Sequence, residues 1–250
     1  MGEQSLPYQL FSDTLQRTVD KFQLKEVFAV DGGPRLSLES QVPMAQGVIG
    51  NLRLFEGDPL FRVVSISLVV PAMKLDSHMM FAFMPGNSAL PHFTLDSVMA
   101  GDHFAFHLDL VPRVDIGSQL TYLREVFEPL TEAHAQGCAI EGLTAAHLSP
   151  TQLAIMSPWM LAFRASEEAF AAIEASVLSY QNHWFDVVAK GISTAALVGI
   201  SEADLIARNH RNKRAIFDPS VDPVWARIQM LIGEQAVKQS RALLIGADEY

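Results

Sequence analysis

At 250 residues, 49% hydrophobic and 18% charged, the chain can bury a substantial core and has a globular, not a disordered, composition. A net charge of −10 argues against nonspecific nucleic-acid binding, and the lone Cys138 excludes internal disulfides and thiolate-held iron–sulfur clusters. No run of about 18 apolar residues suggests a membrane helix. The N-terminus lacks the basic-then-apolar pattern of a signal sequence, so the expected location is the cytoplasm.

Leu10, Phe11, Leu15, Val19 and Phe22 recur at helical spacing and predict a helix over residues 7–24. Short strands are expected at 28–30 and 36–41, and longer ones at 48–55 and 61–70, split by the turn signal Glu56-Gly57-Asp58-Pro59. Val63, Ile66, Leu68, Val69 and Val70 mark the latter as a central strand. A further strand is expected at 78–84, closed by Pro85-Gly86-Asn87. Residues 91–111 then read as two strands around a turn at Ala100-Gly101-Asp102. Consecutive strands joined by short turns predict a mostly antiparallel meander.

The second half is helical. Helices are expected over 118–131, 150–156, 166–190, 201–208 and 222–244, with Ser166 as an N-cap and acidic residues behind it. Residues 137–148 read as a loop, and 157–163 is ambiguous. Sheet over about 28–111 and helices over about 118–245 are expected to form one domain spanning 1–250. Trp184 and Trp225 fall on helical core stripes. Met79, Met80, Met84 and Met99 are either core or the flexible lining of a pocket.

Several chemistries lack sequence support. Neither GxGxxG nor GxxxxGK[ST] occurs, and there is no HExxH or CxxC. His103 and His107 are four apart, but on a strand that places them about 13 Å apart, too far to share a metal. Ser97 and Ser157-Pro158 lack a nucleophile-elbow context. What stands out is Asp96, inside a strand on the face opposite Phe93 and Leu95. It points either to solvent or into a cavity that uses a proton donor. Its company is His92, His103, His107 and Pro112-Arg113. In an acidic chain, the basic run 208–214 (Arg-Asn-His-Arg-Asn-Lys-Arg) is an anion site, a docking surface or a solvated loop.

Pro91-His92-Phe93 with Asp96, followed by Leu108-Asp109-Leu110-Val111-Pro112-Arg113-Val114-Asp115, resembles red chlorophyll catabolite reductase and its superfamily relatives, the ferredoxin-dependent bilin reductases. Leu148-Ser149-Pro150, Ser157-Pro158, Lys190-Gly191, Ile216-Phe217 and Asp222-Pro223-Val224-Trp225 occur in similar order, so the resemblance covers roughly 48–244. It implies an α/β fold, a three-layer α/β/α sandwich with a central, mostly antiparallel sheet and a pocket for an open-chain tetrapyrrole such as biliverdin. It also implies radical reduction with electrons from reduced ferredoxin, with no tightly bound cofactor and no metal. The expected partners are a linear tetrapyrrole and ferredoxin, with no nucleic acid and no membrane.

Carried over by position, Asp96 matches the strand aspartate that donates protons in bilin reductases, where the chlorophyll-catabolite branch has glutamate. A carboxyl held in an apolar pocket has a raised pKa and suits that role. His78 lies near the place of a second donor, one residue off in spacing. Ser67 stands where vinyl-reducing members carry glutamate. In place of a second aspartate before the last helix, the chain offers Asn209 or His210, of which histidine titrates near neutrality. Arg208, Arg211 and Arg214 suit substrate propionates, and His92 belongs to the same expected binding set. Arg113 either binds a propionate or is a surface residue paired with Asp115. The alternative is a carrier or scavenger that binds a linear tetrapyrrole without reducing it, or the same fold holding an unrelated ligand.

Overall fold

The structure, a computed structural model, describes residues 4–247. Residues 1–3, part of the stretch read for a signal sequence, lie outside them. The chain opens with α1 (Leu6–Phe22), capped by the Ser5 hydroxyl, which accepts from the Tyr8 amide. Seven strands follow: β1 (Lys25–Glu26), β2 (Leu36–Glu39), β3 (Val48–Gly57), β4 (Leu60–Val70), β5 (Leu75–Phe83), β6 (His92–Ala100) and β7 (His103–Val111). Then come α2 (Leu120–Val126), α3 (Thr131–Cys138), β8 (Leu143–Ala145), α4 (Pro150–Ile155), β9 (Leu161–Ala165), α5 (Glu167–Ala172), α6 (Glu174–Lys190), α7 (Glu202–Ile216) and α8 (Val224–Ile245). Among the described residues, no helix is long and apolar enough to cross a membrane.

The nine strands form one sheet in the order β1-β3-β4-β5-β6-β7-β9-β8, with β2 also on β3 and every pairing antiparallel. This is the expected meander, with three corrections. The strand expected at 28–30 is absent, and its place on β3 is taken by the two residues of β1. The loop expected at 137–148 contains β8, and the ambiguous 157–163 runs into β9, so the sheet continues past residue 111. The helix expected over 166–190 is broken at Ile173 into α5 and α6.

Alternation along the strands assigns each side chain to one of two cores. Met80, Ala82, Phe93, Leu95, Leu108 and Leu110 point toward α1, α5 and α6, where Trp184 is fully buried. Val64, Ile66, Leu68, Met79 and Phe81 point the other way, toward Ile216 and Phe217 of α7 and its exit and Trp225, Ile228 and Leu231 of α8. Helices on both faces of one sheet make the three-layer α/β/α sandwich. α7 ends eight residues beyond the 201–208 expectation, so the basic run is its C-terminal half and not a loop.

α8 is kinked at Gly233 (φ 83°, ψ 164°), a conformation open to glycine and closed to L side chains. The backbone amide of Gln41, in the β2–β3 connection, donates to the Leu231 carbonyl next to the kink at 2.7 Å. The kink sets the direction of the first half of α8, which covers the second face of the sheet. Gly233→Ala is expected to lower unfolding free energy by about 1–3 kcal/mol. Its Cβ would also meet the Gln41 side chain at 3.2 Å. Chemical denaturation of the two proteins checks this, and an unchanged midpoint would contradict it.

Candidate active site

A cavity of about 940 Å³ lies on the second face of the sheet, between β5, β6, β7 and β9 below and α4 and the start of α8 above. Its floor is apolar over β4 and β5, with Leu68, Leu75, Met79 and Phe81. The ionisable groups sit at the other end. Asp96 lies mid-way along β6, where the register sets it between Met79 of β5 and His107 of β7. Asp222, just before α8, and the rim residues Arg164 of β9 and Arg227 of α8 complete the set.

Burial raises the Asp96 carboxyl from its ordinary 3.8 to about 8, and the charge of Asp222 adds to the rise. Asp96 is therefore mostly protonated at neutral pH. Asp222 is also raised by burial; its Oδ1 accepts from the Val224 amide at 3.0 Å, which anchors the carboxyl at the helix start. The charge of Asp222 thus discourages ionisation of Asp96 within the apolar cavity. The imidazole Nδ1 of His107 stands 3.7 Å from Asp96 Oδ2, and burial lowers this histidine to about 4, so it is neutral.

Three cavity residues carry buried polar atoms without a protein partner: Asp96 Oδ1, His107 Nε2 and Trp225 Nε1. Buried polar atoms are nearly always hydrogen-bonded. Their concentration around one cavity, two on the sheet and one on α8, marks a site built to meet a polar ligand inside an apolar envelope. Among the described residues, no group of three or more His, Cys, Asp or Glu is placed to hold a metal.

No family model and no curated protein matches the sequence. Among solved structures, the crystal structure of phytochromobilin synthase from tomato in complex with biliverdin matches with a TM-score of 0.76 at 18% identity, covering 97% of this chain and 84% of that one. The fold is that of phytochromobilin synthase. The fold class implied by the sequence resemblance is thereby established.

On this phytochromobilin synthase fold, the residues singled out from sequence separate into three places. Of the expected catalytic and binding residues, Asp96 alone lines the cavity, joined there by His107, which the sequence had placed in its company, and by Met79. His78 is on β5 opposite Ser97, one residue from the cavity-facing Met79, and in a strand one residue reverses the face. It lies against Tyr8 and Phe11 of α1, held between the Ser67 hydroxyl (2.9 Å) and the Asp76 carboxylate. Ser67, paired with His78, also faces α1 and not the cavity.

His92, Asn209 and Arg113 meet in the packed end of the sandwich. The Nδ1 of His92 accepts from the Met84 amide at 2.9 Å, so Nε2 carries the hydrogen and faces Asn209 Oδ1 at 3.3 Å. Burial, and then the charges of Arg113 and Lys213, hold this histidine well below its ordinary pKa. Arg113 is fully buried and donates to the carbonyls of Pro85 (3.3 Å) and Gly86 (2.9 Å), closing the β5–β6 connection. It is neither a surface partner of Asp115 nor a cavity residue. Arg113→Lys, which loses the forked geometry, is expected to cost about 1–3 kcal/mol of stability. It should leave pigment affinity unchanged. Thermal melting and pigment titration of one preparation measure both, and a weakened pigment complex with unchanged melting would place Arg113 in the binding site.

His210, Arg211 and Arg214 are exposed on α7, and Arg208 is half-buried there; none lines the cavity. The sequence reading missed Asp222, Arg164 and Arg227 as cavity residues, and named His107 beside Asp96 without giving it a role. Asp222 begins the Asp222-Pro223-Val224-Trp225 motif and so carried a signal.

Proposed function

We propose that the cavity binds an open-chain tetrapyrrole and that the protein reduces it with single electrons from reduced ferredoxin, Asp96 supplying protons and the charge of Asp222 keeping that carboxyl protonated. The observation that carries this reading is the Asp96 carboxyl, pushed up to about 8 on the wall of a cavity of about 940 Å³. Support comes also from the shared fold with a protein crystallised with biliverdin, and from the Asp96 and Asp222 motifs that resemble those of the reductases.

The chemistry needs little else from the protein. A linear tetrapyrrole is a flat conjugated system that accepts an electron to give a radical anion, and the added charge makes it basic. A neutral carboxylic acid beside it transfers a proton and becomes carboxylate. A second electron and a second proton complete a two-electron, two-proton reduction. Asp96 is charged with that proton at pH 7 because its surroundings disfavour the carboxylate. Apolar residues over β4 and β5 keep water from the radical. Arg164 and Arg227, on the cavity rim, take the role first given to the arginines of 208–214, pairing with the pigment's propionates. Protons are delivered at one end of the cavity only, so reduction is confined to the bonds held near Asp96.

The test is anaerobic mixing with biliverdin, and separately with a red chlorophyll catabolite, plus reduced ferredoxin, followed by absorbance. A shifted pigment band that converts to a product band is the expected result. A stable shift without conversion would leave a carrier, and no shift with either pigment would overturn the reading.

A further inference from the structure

The titratable groups that line the cavity are Asp96 on β6, His107 on β7, Arg164 on β9, Asp222 before α8 and Arg227 on α8. Among these, only His107 has no task in the reading so far. Its position is fixed by the sheet. The pairing of Ala100 with His103 around Gly101-Asp102 carries through to Asp96 with His107, so the two side chains share one rung and one face. On its other side His107 pairs with Ala162 of β9, and Ala105 precedes it on the same face. Both neighbours are small and leave the ring beside open cavity. Nδ1 faces the Asp96 carboxyl at 3.7 Å, while Nε2 is buried without a protein partner.

A two-proton reduction makes a demand that this pair answers. Asp96 holds one proton, and the charge of Asp222 raises its carboxyl further. After the first transfer, Asp96 is a carboxylate in an apolar wall and must be recharged. We propose that His107 is the resupply partner of Asp96, taking a proton from bulk solvent by way of cavity water once Asp96 has ionised and returning it to the carboxylate before the second transfer. This rests on the reductase reading of the cavity.

The balance closes at each step. The Asp96 O–H bond breaks as the proton joins the pigment radical anion. The imidazole of His107 then gains a proton from bulk solvent acid, passed along cavity water that is left neutral, and an ion pair forms across the rung. Finally the Nδ1–H bond breaks and the Asp96 O–H bond is remade. The electrons come from ferredoxin throughout, and the net addition to the pigment is two electrons and two protons. The ring is neutral beforehand, because burial disfavours imidazolium. The new carboxylate, with Asp222 nearby, favours it. An ionisation of Asp96 thus switches the basicity of its neighbour.

The experiment follows the radical intermediate by rapid-mixing absorbance and electron paramagnetic resonance in wild type, His107→Gln and His107→Ala. In His107→Gln the first radical is expected at the wild-type rate, with its decay slowed about 10²-fold. Free imidazole should restore decay in His107→Ala. Wild-type decay rates and an unchanged pH profile in His107→Gln would overturn the relay while leaving the reductase reading intact. A second measurement needs no pigment. The His107 ring, followed by nitrogen-15 NMR, is expected to shift as Asp96 titrates near pH 8 in wild type, and to lose that shift in Asp96→Asn. A ring blind to the titration of Asp96 overturns the relay, whether or not any pigment is reduced.

Discussion

Asp96→Asn is expected to bind biliverdin as wild type does and to reduce it about 10²–10⁴-fold more slowly, the usual worth of a positioned acid. Asparagine preserves the shape of the side chain and the packing between Met79 and His107, so the apolar cavity is unchanged. What it removes is the transferable proton. The first electron should still arrive, and the radical should accumulate. The same substitution has a second signature, in stability. The folded carboxyl titrates at about 8 against an ordinary 3.8. Its contribution to stability is fully present below pH 4 and is lost as pH rises through about 8. Asp96→Asn has no such loss, so its melting temperature relative to wild type should climb between pH 4 and pH 8 and level off above. A difference that stayed flat across that range would show that the carboxyl is not held protonated by the fold.

Trp184→Ala is expected to cost about 3–5 kcal/mol, the usual range for removing a buried aromatic ring. Trp184 of α6 is fully buried among Phe22, Phe93 and Phe185, which come from α1, β6 and α6 itself. Its indole Nε1 donates to the Pro91 carbonyl at 2.9 Å, just ahead of β6. Alanine leaves a void on the first face of the sheet and an unpaired carbonyl at the start of the strand that carries Asp96. Trp184→Phe, which keeps the ring and loses only the donor, should cost much less. Urea denaturation of both variants measures the two terms separately, and equal losses would mean that the hydrogen bond, not the ring, dominates.

The strands of the central sheet were legible because their signals are local. β3 to β7 alternate or are evenly apolar, and Gly57-Asp58-Pro59 and Gly101-Asp102 punctuate them. β8 and β9 were hidden because three and five residues, one of them the exposed Arg164, are too few for a period to emerge. Parity with Phe93 and Leu95 put Asp96 on the opposite face, toward solvent or a cavity, and the helices packed on that face decide for the cavity. His78 was misplaced by the same rule, since a one-residue offset puts a side chain on the opposite face. Arg113 looked like a surface residue because nothing in a sequence shows which carbonyls a buried guanidinium will meet. His107 was recoverable, because a two-residue turn at Gly101-Asp102 fixes the register that pairs it with Asp96. Placing the turn over three residues obscured that pairing. Asp222 lay outside the basic run where a second acid was sought, although its motif had already been singled out.

The most direct test of a donor that waits protonated in the cavity wall is the pH-dependent infrared difference spectrum of wild type against Asp96→Asn. A protonated carboxyl band present in wild type at pH 7, lost with a midpoint near 8 and missing from the variant, is the predicted result. A wild-type spectrum with Asp96 already ionised at pH 7 would contradict it.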